Sequence, residues 1–159
     1  MLLAQVKPKS VRARPANSSR TADLMTPTPL PEKEGVHIGN TTTRVVRRIR
    51  AALPDGVDTR ELPLEDEGVH LFVSALGTAV REAANEGNRQ LLLGVLELME
   101  AELAASDPDP GFVNAASMSF LTAEDLTEVL RADDPPFPIL RGVISDYEER
   151  ISNPPGGAL

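Results

Sequence analysis

Apolar residues along this chain recur three and four positions apart, and nowhere do they alternate with period two. The first stripe, Val45, Val46, Ile49 and Leu53, predicts a helix over 43–53 with Arg44, Arg47, Arg48 and Arg50 largely off it. The second is Val69, Phe72, Val73, Leu76, Val80 and Ala83. It predicts a helix that begins near Pro63 and closes at Glu86, with Gly87 just beyond its end. Three acids near that start, Glu65, Asp66 and Glu67, suit the positive end of the helix dipole. Asn88 then caps a third helix reaching Ser106, in which Leu91, Leu92, Leu93, Val95, Leu96, Leu98, Met99 and Leu103 cover most of the circumference. A helix apolar nearly all round is buried between others, so this one is the expected centre of the core.

Prolines punctuate the rest. Proline lacks an N–H and clashes with the preceding turn, so a helix accepts it only at its start. Asp109 is therefore read as N-cap and Pro110 as first residue of a fourth helix over 110–121. Its side chains are small, and Phe112, Val113, Ala116, Ser117 and Phe120 form the stripe expected inside. Thr122 with Asp125 predicts a capping box and a fifth helix to Ala132. The run Asp133-Asp134-Pro135-Pro136-Phe137-Pro138 is a rigid connector. A sixth helix over 139–152 presents Leu140, Val143, Ile144, Tyr147 and Ile151 on one face. The expected fold is all-α, a compact bundle or helical-repeat-like array of six helices in a single domain over 40–152.

Residues 1–39 carry Pro, Ser, Thr and Arg without apolar periodicity and are expected to be a disordered basic head, as 153–159 are a frayed tail. Met25 opens a plausible shorter chain, so 1–24 reads as translated upstream sequence or an idle basic arm. The net charge of −8 is uneven. Residues 1–24 carry +4 and 25–50 carry +3, whereas 51–159 hold six arginines and twenty-one acids, a formal −15. Such a field repels nucleic acid and membrane surfaces and favours basic partners.

The absence of cysteine excludes disulfides, thiolate metal sites and cysteine catalysis, and fits a reducing, cytoplasmic setting. The longest apolar run, Leu91 to Leu96, is far short of the roughly 18 residues that a membrane span requires. No apolar stretch near the start matches a signal peptide. Of the two histidines, His37 lies in the head and His70 beside the second stripe, with no metal-ligand spacing around either. No metal, cofactor or catalytic residue is expected. Asp107-Pro108-Asp109-Pro110-Gly111 lacks the remaining oxygen ligands of a calcium loop and reads as capping chemistry. Arg44, Arg47, Arg48 and Arg50 could grip phosphates, but no aromatics accompany them to stack bases. Docking onto the protein's own acids is the preferred reading, and Asn114 is read as a structural polar residue bonding nearby backbone.

The stretch Asp107 to Leu121, following the leucine-rich helix, resembles a family of small all-α bacterial proteins grouped with the immunity proteins of polymorphic toxin systems. The resemblance covers 60–132 and rests on the acidic loop, the Asn-bearing helix closing in Ser119-Phe120-Leu121, and the following Glu124-Asp125-Leu126. It departs from the family in that Val113 and Asn114 are adjacent rather than spaced. What it implies is a non-enzymatic domain that covers a basic toxin. Seven acids are the candidate contact residues: Glu65, Asp66, Glu67, Asp107, Asp109, Asp133 and Asp134. The rival expectations are a regulatory or scaffold module outside any toxin system, and a nucleic-acid binder using the Arg44–Arg50 helix.

Overall fold

A computed structural model describes the backbone of residues 38–156 and side chains from Thr41 onward, so the expectations for residues 1–37 of the head and 157–159 of the tail lie outside the described part. Residues 38–39 belong to a first helix that begins at Ile38 rather than at 43. Six α-helices follow one another without a strand among the described residues. They are α1 Ile38–Ala52, α2 Val69–Glu86, α3 Arg89–Leu103, α4 Pro110–Ala115, α5 Ala123–Val129 and α6 Pro138–Ser152. A π-helical turn, Ala116–Phe120, continues α4.

The leucine-rich helix lies in the core, although α2, which touches α1, α3, α4, α5 and the π turn, is the element that packs against most others. In α3, Leu92, Val95, Leu96 and Met99 are wholly inaccessible, and α1, α2 and α6 all pack on it. The stripe of α2 supplies Phe72, Val73, Leu76 and Val80 to the same core, and α1 supplies Val45, Val46 and Ile49. With so few aromatics the core is a mostly aliphatic one, closed by Phe72, Phe112 and Phe120.

Local chemistry fixes the ends. Gly87 sits at φ 71° and α2 closes in a Schellman arrangement, Asn88 N–H donating to the Ala83 carbonyl at 2.8 Å and Gly87 N–H to that of Ala84 at 3.2 Å. The Asn88 side chain accepts from Leu91 N–H, the Asp109 side chain from Phe112 N–H, and Thr122 with Asp125 completes a reciprocal capping box. Acids on neighbouring helices help as well. Glu100 of α3 accepts from the N–H groups of Ile139 and Leu140 at the start of α6, and Glu148 of α6 accepts from Ala123 N–H at the start of α5.

Four expectations need correction. The second helix starts at Val69, not near Pro63: Gly68 adopts φ 110°, which ends any helical path from upstream. Glu65, Asp66 and Glu67 therefore lie in the preceding turn rather than on a helix dipole, and the Glu67 carboxylate accepts from Leu64 N–H. Helices α3 and α5 stop a few residues early, at Leu103 and Val129. The fourth helix does not run as one α-helix to Leu121. Its second half widens into the π turn, in which Ala116, Ser117 and Phe120 are buried. The face of α6 is only half covered, since Leu140 and Ile144 are buried while Tyr147 is half-buried and Ile151 is 60% exposed.

The widened turn depends on Gly77. A Cβ built there would lie 2.1 Å from the Phe120 carbonyl oxygen, so the backbone of the π turn rests directly on α2. Gly94 makes room for the Pro54 ring in the α1–α2 connection, 3.1 Å from its would-be Cβ. Phe137 enters α6 at φ 44°, a left-handed conformation unfavourable by about 1–2 kcal/mol for such a residue. Burial of its ring offsets that strain.

Candidate functional site

The seven acids proposed as a contact surface separate into distinct roles. Glu65 grips the Arg47 guanidinium through both carboxylate oxygens, at 2.8 and 3.2 Å. Asp109 accepts from the Thr41 hydroxyl at 2.7 Å, from Thr42 at 2.8 Å and from Phe112 N–H at 2.8 Å, so it ties the start of α1 to the start of α4. Asp134 binds Arg89 and the Arg131 N–H, closing the connector against the start of α3. These three hold the fold together, and Glu67 closes its own turn. Asp66, Asp107 and Asp133 are exposed and have no partner among the described residues.

Nor do the seven converge. Glu65 and Asp66 border the start of α1 from one side, beside Thr42 and Val46, while Asp107 and Asp109 border it from another, beside Thr41 and Arg44. Asp133 and Asp134 lie by the first residue of α3, whereas Asp107 follows its end. The acids surround the molecule rather than forming one patch.

The bonding shifts carboxyl acidity in one direction. The Asp109 carboxyl is pushed up by burial, but the Thr41 hydroxyl, Phe112 N–H and Thr42 hydroxyl outweigh this and hold it below its ordinary range. Asp125 is lowered first by the Thr122 N–H, and Asp134 first by Arg89. Groups more acidic in the folded than in the unfolded chain stabilise the fold fully above the unfolded value. That contribution disappears as pH falls through the folded value. The melting temperature should accordingly stay level from pH 7 to 5 and fall below about pH 4. Asp109→Asn should flatten part of that fall. A melting curve independent of pH down to 3 would show these bonds to be energetically idle.

The arginines are largely occupied. Arg48 forks onto Glu102 with two bonds of 2.6 Å, Arg50 donates to the carbonyls of Thr59 and Pro63, and its guanidinium lies 5.5 Å from the centre of the Phe72 ring. Of the four arginines of α1 that could have held phosphates, Arg47, Arg48 and Arg50 point to the protein's own groups.

One polar constellation was missed in the sequence. His70 in the first turn of α2 meets Ser119 of the π turn, Nδ1 to Oγ 2.8 Å, and Asn114 of α4, whose Nδ2 lies 3.4 Å from Nε2. The three side chains link α2, α4 and the π turn, and the donor and acceptor roles of the ring toward Ser119 and Asn114 follow from its tautomer. Asn114 thus bonds a side chain, not the backbone partner expected of it. Its contact lies 44 residues away, and no spacing rule reaches that far. Among the described residues no three His, Asp or Glu side chains come together as metal ligands, and no helix is long and apolar enough to cross a membrane.

Comparison with family models, curated proteins and solved structures finds no match. The likeness to immunity proteins rests on the residues of the chain alone.

Proposed function

We propose that this protein is a non-catalytic binding domain whose acidic surface receives a basic protein partner, in the manner of an immunity protein covering a toxin domain. The observation that carries this reading is the imbalance left after internal pairing. Residues 41–156 hold ten arginines and twenty-one acids, a formal −11. Eight of the arginines bond groups of the protein itself. Nine carboxylates are likewise engaged, and the other twelve face outward without a partner among the described residues. The outward field is therefore negative on most sides, which speeds encounter with a basic protein and disfavours phosphate backbones.

Because Glu65, Asp109 and Asp134 hold structure, the test uses acids that do not. Reversal of Asp66, Asp107 and Asp133 to lysine should leave the melting temperature within a few degrees and slow association with the partner about tenfold at low salt. Stopped-flow mixing over increasing salt provides the check. The difference should vanish as the Debye length shrinks from about 10 Å at 0.1 M to about 3 Å at 1 M. An association rate indifferent to both the substitutions and salt would refute electrostatic recognition.

A further inference from the structure

Beside α2, four carboxylates and an apolar floor meet in one concavity. A groove of about 380 Å³ runs between this helix and the connection from α1. Its floor is Val57, Leu62, Ala75, Ala79, Ala83 and Leu91. Asp58 and Glu61 stand on the loop side and Glu82 and Glu86 on the helix side, and no arginine or lysine lines it. The one cation near the four acids is Arg60, paired with Asp58 and also attracted by Glu61, and its side chain is 88% exposed.

The groove is held open. Pro54 is wedged against Gly94, and Gly56, at φ 106°, leaves only 3.1 Å between its would-be Cβ and the Leu91 side chain. Both contacts pin the 54–58 connection onto α3, away from α2. Along α2, the small residues Ala75, Ala79 and Ala83 succeed one another at i, i+4 and i+8. A second helix could approach them closely over the roughly 16 Å between Ala75 and Glu86.

We infer that this groove seats a basic amphipathic helix presented by the partner protein, with apolar side chains on the alanine floor and lysines or arginines against the two acidic walls. The inference rests on the reading of the protein as an acidic binding domain and gives that reading a site. Charge complementarity selects the occupant: the walls offer four carboxylates against the single cation Arg60, above a floor of apolar side chains. The helix-in-groove mode also explains why α2 contributes alanines to the floor where its adjoining core-facing stripe is Phe, Val and Leu.

The probe is a 14-residue capped peptide with leucines on one helical face and lysines on the other, compared with a scrambled peptide of identical composition. Binding to the full chain is read by fluorescence anisotropy at 0.1 M salt. The ordered peptide should bind at least tenfold more tightly than the scrambled one. Ala79→Met, which fills the floor, and the pair Glu82→Arg with Glu86→Arg should each weaken it tenfold or more. The matched pair Glu124→Arg with Glu128→Arg on α5, also exposed and one turn apart, should weaken it less than threefold. Circular dichroism melts establish that each variant is folded. Should Ala79→Met melt early, Glu82→Gln with Glu86→Gln decides in its place, with the same loss expected. Equal binding of the two peptides, or equal losses from the α2 and α5 reversals, would overturn the groove while leaving a general acidic surface standing. Failure of both peptides to bind would overturn both.

Discussion

Replacing Gly77 by alanine is expected to destabilise the protein at the upper end of the range for overpacking, about 3 kcal/mol, a fall in melting temperature of about 10 °C. In an isolated helix the same substitution would stabilise by about 1 kcal/mol. The sign reverses because the added methyl would stand 2.1 Å from the Phe120 carbonyl oxygen, and a backbone atom within the π turn cannot swing aside as a flexible side chain can. Gly142 supplies the control. It is also mid-helix, in α6, but nothing lies within 4 Å of its would-be Cβ, so Gly142→Ala should be neutral or slightly stabilising. Paired thermal melts read both. If Gly77→Ala were as harmless as Gly142→Ala, the packing of α2 on the π turn would be wrong.

Leu96→Ala should be comparably damaging, about 2–5 kcal/mol, as for other buried leucines truncated to leave a cavity. Leu96 is wholly inaccessible in the helix against which α1, α2 and α6 pack. By contrast Leu71, 58% exposed on α2, should tolerate alanine within about 0.5 kcal/mol. Urea titration separates the two. A loss at Leu96 no larger than at Leu71 would remove α3 from the centre of the fold.

Much of this architecture was legible before the structure. Helices were signalled by stripes at helical spacing, and their ends by residues acting on adjacent backbone: Asn88, Asp109, Thr122 and Gly87 all work as their types and positions suggest. Those signals are local, which is why they survive without tertiary information. What escaped was set by contacts distant in sequence. Gly68 could not be seen to hold a positive φ, so the acids before it were assigned to a helix that begins later. The π turn arises from the fit of Phe120 against Gly77, a pairing no period encodes. The uncovered end of α6, where Ile151 continues the stripe into solvent, shows that an apolar face in sequence does not specify what lies opposite.

The candidate site was legible to a lesser degree. Charge segregation is a property of composition, and the pairing of Arg47 and Arg48 with internal acids followed from the surplus of carboxylates, whereas Arg50 turns to backbone carbonyls instead. Which acids remain outward depends on pairings such as Arg47 with Glu65 across 18 residues and Arg89 with Asp134 across 45. Asp58, Glu61, Glu82 and Glu86 escaped attention because they read as solvated positions on a loop and a helix face. Only the path of the 54–62 connection along α2 turns them into two walls.

The most direct test of the central claim is capture from the native cell, with the full chain immobilised at low salt and the eluate treated with nuclease. A basic protein should be retained through nuclease treatment, released as salt is raised toward 1 M, and lost when Asp66, Asp107 and Asp133 are reversed to lysine. Recovery of nuclease-sensitive nucleic acid with no protein, abolished instead by Arg44→Ala, would contradict the account.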